Sequence, residues 1–189
     1  MDIATLQHEA GHAAVALWIG CTNVVLRMHG STGQLDFTSP EPKGAHALWS
    51  LIQNGAAAST DLRAVATGDL INGGIFASAG FLAECESVDD FLGRLYGNKD
   101  SSSDGTKFRA IADELNSRRL HTPPLARLLW QTCHKATCLA AQPIIDSVML
   151  QAKQTFQFDP CHLSEIHRGA LAVSVEAAMR QLQPVAQHQ

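Results

Sequence analysis

In the stretch LQHEAGHAAVALW, residues 6–18, His8, Glu9 and His12 stand in the order H-E-x-x-H. On a helix, residues four apart share a face, so both imidazoles can offer a nitrogen to one metal ion. Glu9 lies about 100° further round the axis. Its carboxylate stays near the metal without joining its ligands. A catalytic zinc keeps three protein ligands and an open position for water, and it lowers the pKa of that water to about 7. Glu9 would take the proton, the water oxygen would attack a peptide carbonyl, and Glu9 would return the proton to the leaving amine. The plain alternative is a chance spelling on an amphipathic helix. Two features weigh against chance. The motif falls inside a predicted helix, and Ala10, Gly11 and Ala13 keep its surroundings small and apolar, so other elements can come close.

The elements that must hold these groups follow from the pattern along the chain. Ile3, Leu6, Ala10, Ala13, Ala14 and Leu17 recur at helical spacing, which predicts a helix over residues 2–18 ended by Gly20. Residues 23–42 predict a hairpin: Val24, Val25, Leu26 and Met28 on one strand, HGSTG as the turn, Leu35 and Phe37 on the other, closed by Pro40 and Pro42. From Lys43 to about Leu95 the pattern is helical and rich in small residues, with glycines dividing it into two or three helices. YGNKDSSSDG, residues 96–105, reads as a polar loop. SDGTKFRAIADEL then starts a helix with Ser103 as N-cap and Asp104 in its first turn. TPPLARLLWQTCHKATCLA begins a helical tail that PIIDSVMLQAKQTF continues, and Asp159 is read as the N-cap of a last helix with Pro160 at its first position. The expected fold class is mainly α with a small β-hairpin or sheet (α+β). Residues 1–119 form the core, 120–180 a helical C-terminal part of the same domain, and 181–189 a disordered tail.

Composition narrows the function classes. Hydrophobic residues make up 46% of 189, enough for a sizeable core. The net charge of −4 and the absence of any Lys/Arg block argue against nucleic acid or an anionic membrane as partner. The longest near-apolar stretch, residues 71–83, is too short and glycine-rich to span a bilayer. No signal peptide is visible. Cys21, Cys85, Cys133, Cys138 and Cys161 are odd in number and lack C-x-x-C spacing, which suits reduced thiols in a cytoplasmic protein. Cys133-His134 and Cys161-His162 lack the spacing of structural zinc sites. His29, His46, His121, His162 and His167 have none that marks ligands. Trp18, Trp49 and Trp130 read as core anchors.

The longer string HEAGHAAV resembles the peptidase domain of the FtsH family, the ATP-dependent, membrane-anchored zinc metalloproteases. The likeness continues in order through VVLRMHGSTGQLDFTSPEP, SAGFLAECES, SSSDGTKFRAIADEL and QTFQFDPCHLSEIHRGA, so it covers roughly residues 2–170. Only HEAGHA is strongly specific. The resemblance implies Zn2+ bound by His8 and His12, Glu9 as catalytic base, and the Asp of the loop-to-helix motif, here Asp104, as third ligand. Asp89, Asp90, Asp100, Glu84 and Glu86 are rivals for that place. The family has Asn before the ligand where this chain has Ser103, and the stretch between motif and ligand is longer here. Glu84 would match the family's helix carboxylate, as a structural or supporting group. The family lays its substrate along a sheet edge, which here would be GQLDF, with Gly33, Gln34 and Leu35 as substrate-binding residues.

Met1 lies just ahead of the motif and no G-x-x-x-x-G-K-[ST] occurs, so the expectation is a peptidase domain without the ATPase module or transmembrane segments. The expected activity is zinc-dependent endopeptidase cleavage of flexible or unfolded polypeptides. A separate unfoldase or self-association would be its partners. Two other classes stand beside it: a silent peptidase-fold module that binds or regulates a relative, and a metal-dependent amidohydrolase acting on small molecules. An intact Glu9 speaks against the silent module.

Overall fold

Asp2 starts the first helix, α1 (Ile3–Ile19), by accepting a hydrogen bond from the backbone N–H of Thr5. Gly20 ends it with φ of 99°, the left-handed conformation a helix C-cap asks of glycine. The computed structural model describes residues 2–40, 44–55, 61–97, 103–118, 124–151 and 153–182. After α1 come β1 (Thr22–His29), β2 (Thr32–Thr38), α2 (His46–Asn54), α3 (Thr67–Glu84), α4 (Val88–Gly97), α5 (Asp104–Ser117), α6 (Leu125–Met149), β3 (Thr155–Phe158) and α7 (Glu165–Gln181). The chain is mainly helical with one small antiparallel sheet, an α+β architecture.

α1 is the central element. Leu6, Ala10, Ala13, Ala14, Val15 and Leu17 are buried, and the helix packs against α3, α6, β1 and β2. Small residues make the α1–α3 approach possible. A Cβ on Gly11 would stand 2.4 Å from the carbonyl oxygen of Ala79, so only glycine fits where the helices cross. The strand order is β2-β1-β3, with Leu26 opposite both Leu35 and Phe156. Among the described residues, one edge of β2 is therefore left outside the ladder.

The structure differs from the sequence reading at the C-terminal end. QAKQTF does not continue the helix: α6 stops at Met149, and Thr155–Phe158 form a third strand on β1. The alternation is only T-F-Q-F, too short to compete with the helical pattern before it. Phe156 and Phe158 are its buried side chains. Asp159 caps a single 3-10 turn, Pro160–His162, and Ser164 is the N-cap of α7. Tyr96 and Gly97 belong to α4, not to a loop. Gln181 closes α7 and Leu182 is buried, so the expected tail does not begin at 181; residues 183–189 lie outside the described residues, as do the 119/120 boundary, Asp100 and His121. No helix among the described residues is long and apolar enough to cross a membrane.

Candidate metal centre

α1 and α5 bring three donor atoms together. His8 and His12 lie one turn apart on α1, with their Nε2 atoms 3.3 Å from each other. Asp104 opens α5, where Ser103 caps the helix by accepting from the backbone N–H of Thr106. Its Oδ2 stands 3.0 Å from His12 Nε2 and 3.3 Å from His8 Nε2. Ligands 2.0–2.1 Å from a tetrahedral zinc are about 3.3–3.4 Å apart. The three separations are close to that edge length, and two imidazoles with one carboxylate are a donor set zinc accepts. The residues present therefore fit the ion.

Two glycines shape the space around this trio. A Cβ on Gly80 of α3 would meet Cε1 and Nε2 of His8 at 2.5 Å, so the bare backbone is what lets the ring lie against α3. A Cβ on Gly33 of β2 would meet Cγ of Glu9 at 2.3 Å. The Glu9 side chain thus rests in the gap that Gly33 leaves in the strand. Phe81 meets the His8 ring edge-on at 4.8 Å, and Phe76 lies 5.3 Å from the ring of His12. These apolar walls leave His12 only 5% exposed.

Behind the trio, His8 Nδ1 lies 3.1 Å from Oε2 of Glu84, and Glu84 is in turn engaged by Arg94. A carboxylate can only accept, so Nδ1 donates and Nε2 is the nitrogen turned toward Asp104. Burial opposes charge on His8, but hydrogen bonds to Asp104 and Glu84 outweigh it and raise its pKa to about 9. Burial also pushes Asp104 upward, yet the charge and hydrogen bond of His12, then His8 and Lys107, hold it well below the usual carboxylate range. Glu84 is lowered as well, because His8 and Arg94 outweigh its burial. The site is thus a buried knot of opposite charges, with an acidic group behind the histidine that would face a cation.

In front of the trio is a cleft of about 410 Å³. Its lining includes Glu9, His12 and Asp104, Gly33–Phe37 of β2, and Phe76 and Ile52. Gly33 packs against Glu9, and Gln34 and Leu35 line the same cleft, on a strand whose other edge has no partner strand among the described residues. Of the rivals to Asp104, Asp89 and Asp90 sit in the first turn of α4, and Asp90 is held by Arg94. Asp159, Cys161 and His162 also cluster, but Asp159 there accepts from the backbone N–H of Cys161 and faces His162 as a cap. His134, beside Cys133, reaches the Leu82 carbonyl at 2.8 Å and stacks on Trp130.

Gly33 stands in the sequence as a substrate-binding position, whereas the room it makes for Glu9, and the parts played by Gly80 and Lys107, come only from the packing. NGGIFASAG advertised a close approach by small residues without saying to what. No family model, no curated protein and no solved structure matches this chain.

Two expectations follow from the packing. Gly80→Ala should lower zinc affinity about 10- to 100-fold, the range seen when support around a ligand is disturbed. Alanine's helix propensity gain of up to about 1 kcal/mol would keep the thermal midpoint of the metal-free variant near that of the metal-free parent chain. Competition with a chromophoric chelator and a melting curve check the two halves. Glu84→Gln should cost a similar factor in zinc affinity while leaving far-ultraviolet dichroism unchanged, because the neutral amide no longer balances His8. Affinity equal to the parent's would mean Glu84 serves only α3.

Proposed function

We propose that this chain is a zinc-dependent peptidase that cleaves flexible or unfolded polypeptides, of the kind its resemblance to the FtsH-type peptidase domain implies. The observation that carries the reading is the convergence of His8 Nε2, His12 Nε2 and Asp104 Oδ2 beside a cleft that also holds Glu9. His8, His12 and Asp104 would hold the ion. Zinc, when bound, polarises a water and a substrate carbonyl and brings the pKa of that water to about 7.

The remaining work falls to the chain. Glu9 accepts the proton of a water in the cleft and delivers it to the nitrogen of the departing amine. Gly33 gives its carboxylate the room to do so. The edge of β2 that has no partner strand among the described residues offers backbone N–H and C=O groups to an extended polypeptide, which would lie beside Glu9 as an added strand. Phe37, Phe76 and Ile52 favour an apolar side chain next to the scissile bond. An extended substrate is one without competing structure, so folded proteins would require a separate unfoldase or an assembly that presents them.

Metal analysis of the purified protein, with cleavage of unfolded casein followed without ATP, tests the reading. Stoichiometric zinc, activity lost with a chelator and restored by zinc, is the expected result. Protein that stays folded and monodisperse yet takes up no zinc would sink it.

A further inference from the structure

Asp104 and Lys107 are three residues apart near the start of α5, and so on one face of it. The two oxygens of Asp104 are divided between neighbours. Oδ2 faces the Nε2 atoms of His8 and His12, while Oδ1 lies 3.2 Å from Nζ of Lys107. The Lys107 side chain is only 16% exposed and lines the same cleft as Glu9.

This is a costly place for an ammonium group. A helix start carries the positive end of the dipole and favours acidic side chains. Burial strips the charge of water. A cation between His8, His12 and Asp104 would repel it further. A residue that breaks local rules in this way is expected where function requires it.

We propose that Lys107 is a positioning residue of this centre: its ammonium engages Oδ1 of Asp104, so that the carboxylate offers a cation Oδ2 alone. The inference rests on the reading of His8, His12 and Asp104 as metal ligands. A carboxylate can bind a metal through one oxygen or through both. Binding through both would fill the place a water needs, whereas three protein atoms leave it open. The charge-assisted contact from Lys107 keeps Oδ1 occupied and turned away. In this arrangement Lys107 acts through Asp104, and what it governs is the number of protein atoms around the ion.

Cobalt(II) reports that number through its visible absorption, which is strong in a four-coordinate site and weaker when a further ligand joins. Wild-type protein and Lys107→Arg, each loaded with cobalt(II), are expected to show the strong band. Lys107→Met, similar in bulk but uncharged, should lose intensity by about two-fold or more at equal cobalt content as Oδ1 enters the coordination sphere. An unchanged band in fully loaded Lys107→Met overturns the assignment and leaves the metal centre standing. A wild-type protein that takes up no stoichiometric cobalt(II) overturns the centre and the assignment together. Lys107→Gln, read in the same way, replaces Lys107→Met if far-ultraviolet dichroism shows that variant unfolded.

Discussion

Glu9→Gln is expected to lower peptide hydrolysis by about 10²- to 10⁴-fold, the usual contribution of a positioned general base, while the zinc content stays that of the parent chain. The substitution keeps the shape of the side chain, and the gap left by Gly33 holds an amide as readily as a carboxylate. What disappears is the capacity to take a proton. None of the three close donor contacts involves Glu9, so the variant keeps every donor atom of the site. Initial rates on casein beside atomic emission for zinc separate the two quantities. Full activity in the variant would remove Glu9 from the chemistry.

Asp104→Ala should weaken zinc binding by at least about 100-fold, because even a supporting partner behind a ligand is worth 10- to 100-fold and Asp104 supplies a donor atom itself. The loss goes beyond one atom. Asp104 Oδ2 stands between two imidazoles and Oδ1 meets Lys107, so removing the carboxylate also takes away the shared partner of His8, His12 and Lys107. Asp89→Ala and Asp90→Ala are the controls. Both residues lie in the first turn of α4, and Asp90 is engaged with Arg94. Near-parental affinity is expected for each. Competition titration with a chromophoric chelator reads all three, and unaltered affinity in Asp104→Ala would mean that the third ligand is elsewhere.

The parts that could be read from the sequence are those with local causes. The H-E-x-x-H spacing and the helix that carries it depend on residues one turn apart. The hairpin announced itself through Val24–Met28, the HGSTG turn and the alternation of Leu35 and Phe37. Ser103 could be recognised as a cap because capping is a matter of neighbouring backbone groups. Asp104 was singled out only through the resemblance, since spacing does not distinguish it from Asp89, Asp90 or Glu84. What escaped depends on packing between distant segments. β3 exists because β1 had an edge to offer it, and its four residues carry too little pattern of their own. Gly80 is a silent letter until α3 is laid against His8, and Gly33, named only as a substrate-binding position, shows its packing on Glu9 once β2 lies beside it. Lys107 carries no mark of its own in the sequence, and only the fold turns its ammonium toward Asp104.

The distance along the chain between the donor atoms has a thermodynamic side. His12 and Asp104 are separated by 92 positions, and no disulfide ties α1 to α5, since every described cysteine is a free thiol. An ion held by both helices would act as a staple across that long loop, and closing a long loop is worth more to a folded chain than closing a short one. Part of the binding energy would then be folding energy. Endurance against heat and the capacity to cut peptides would be acquired by the same event and surrendered together.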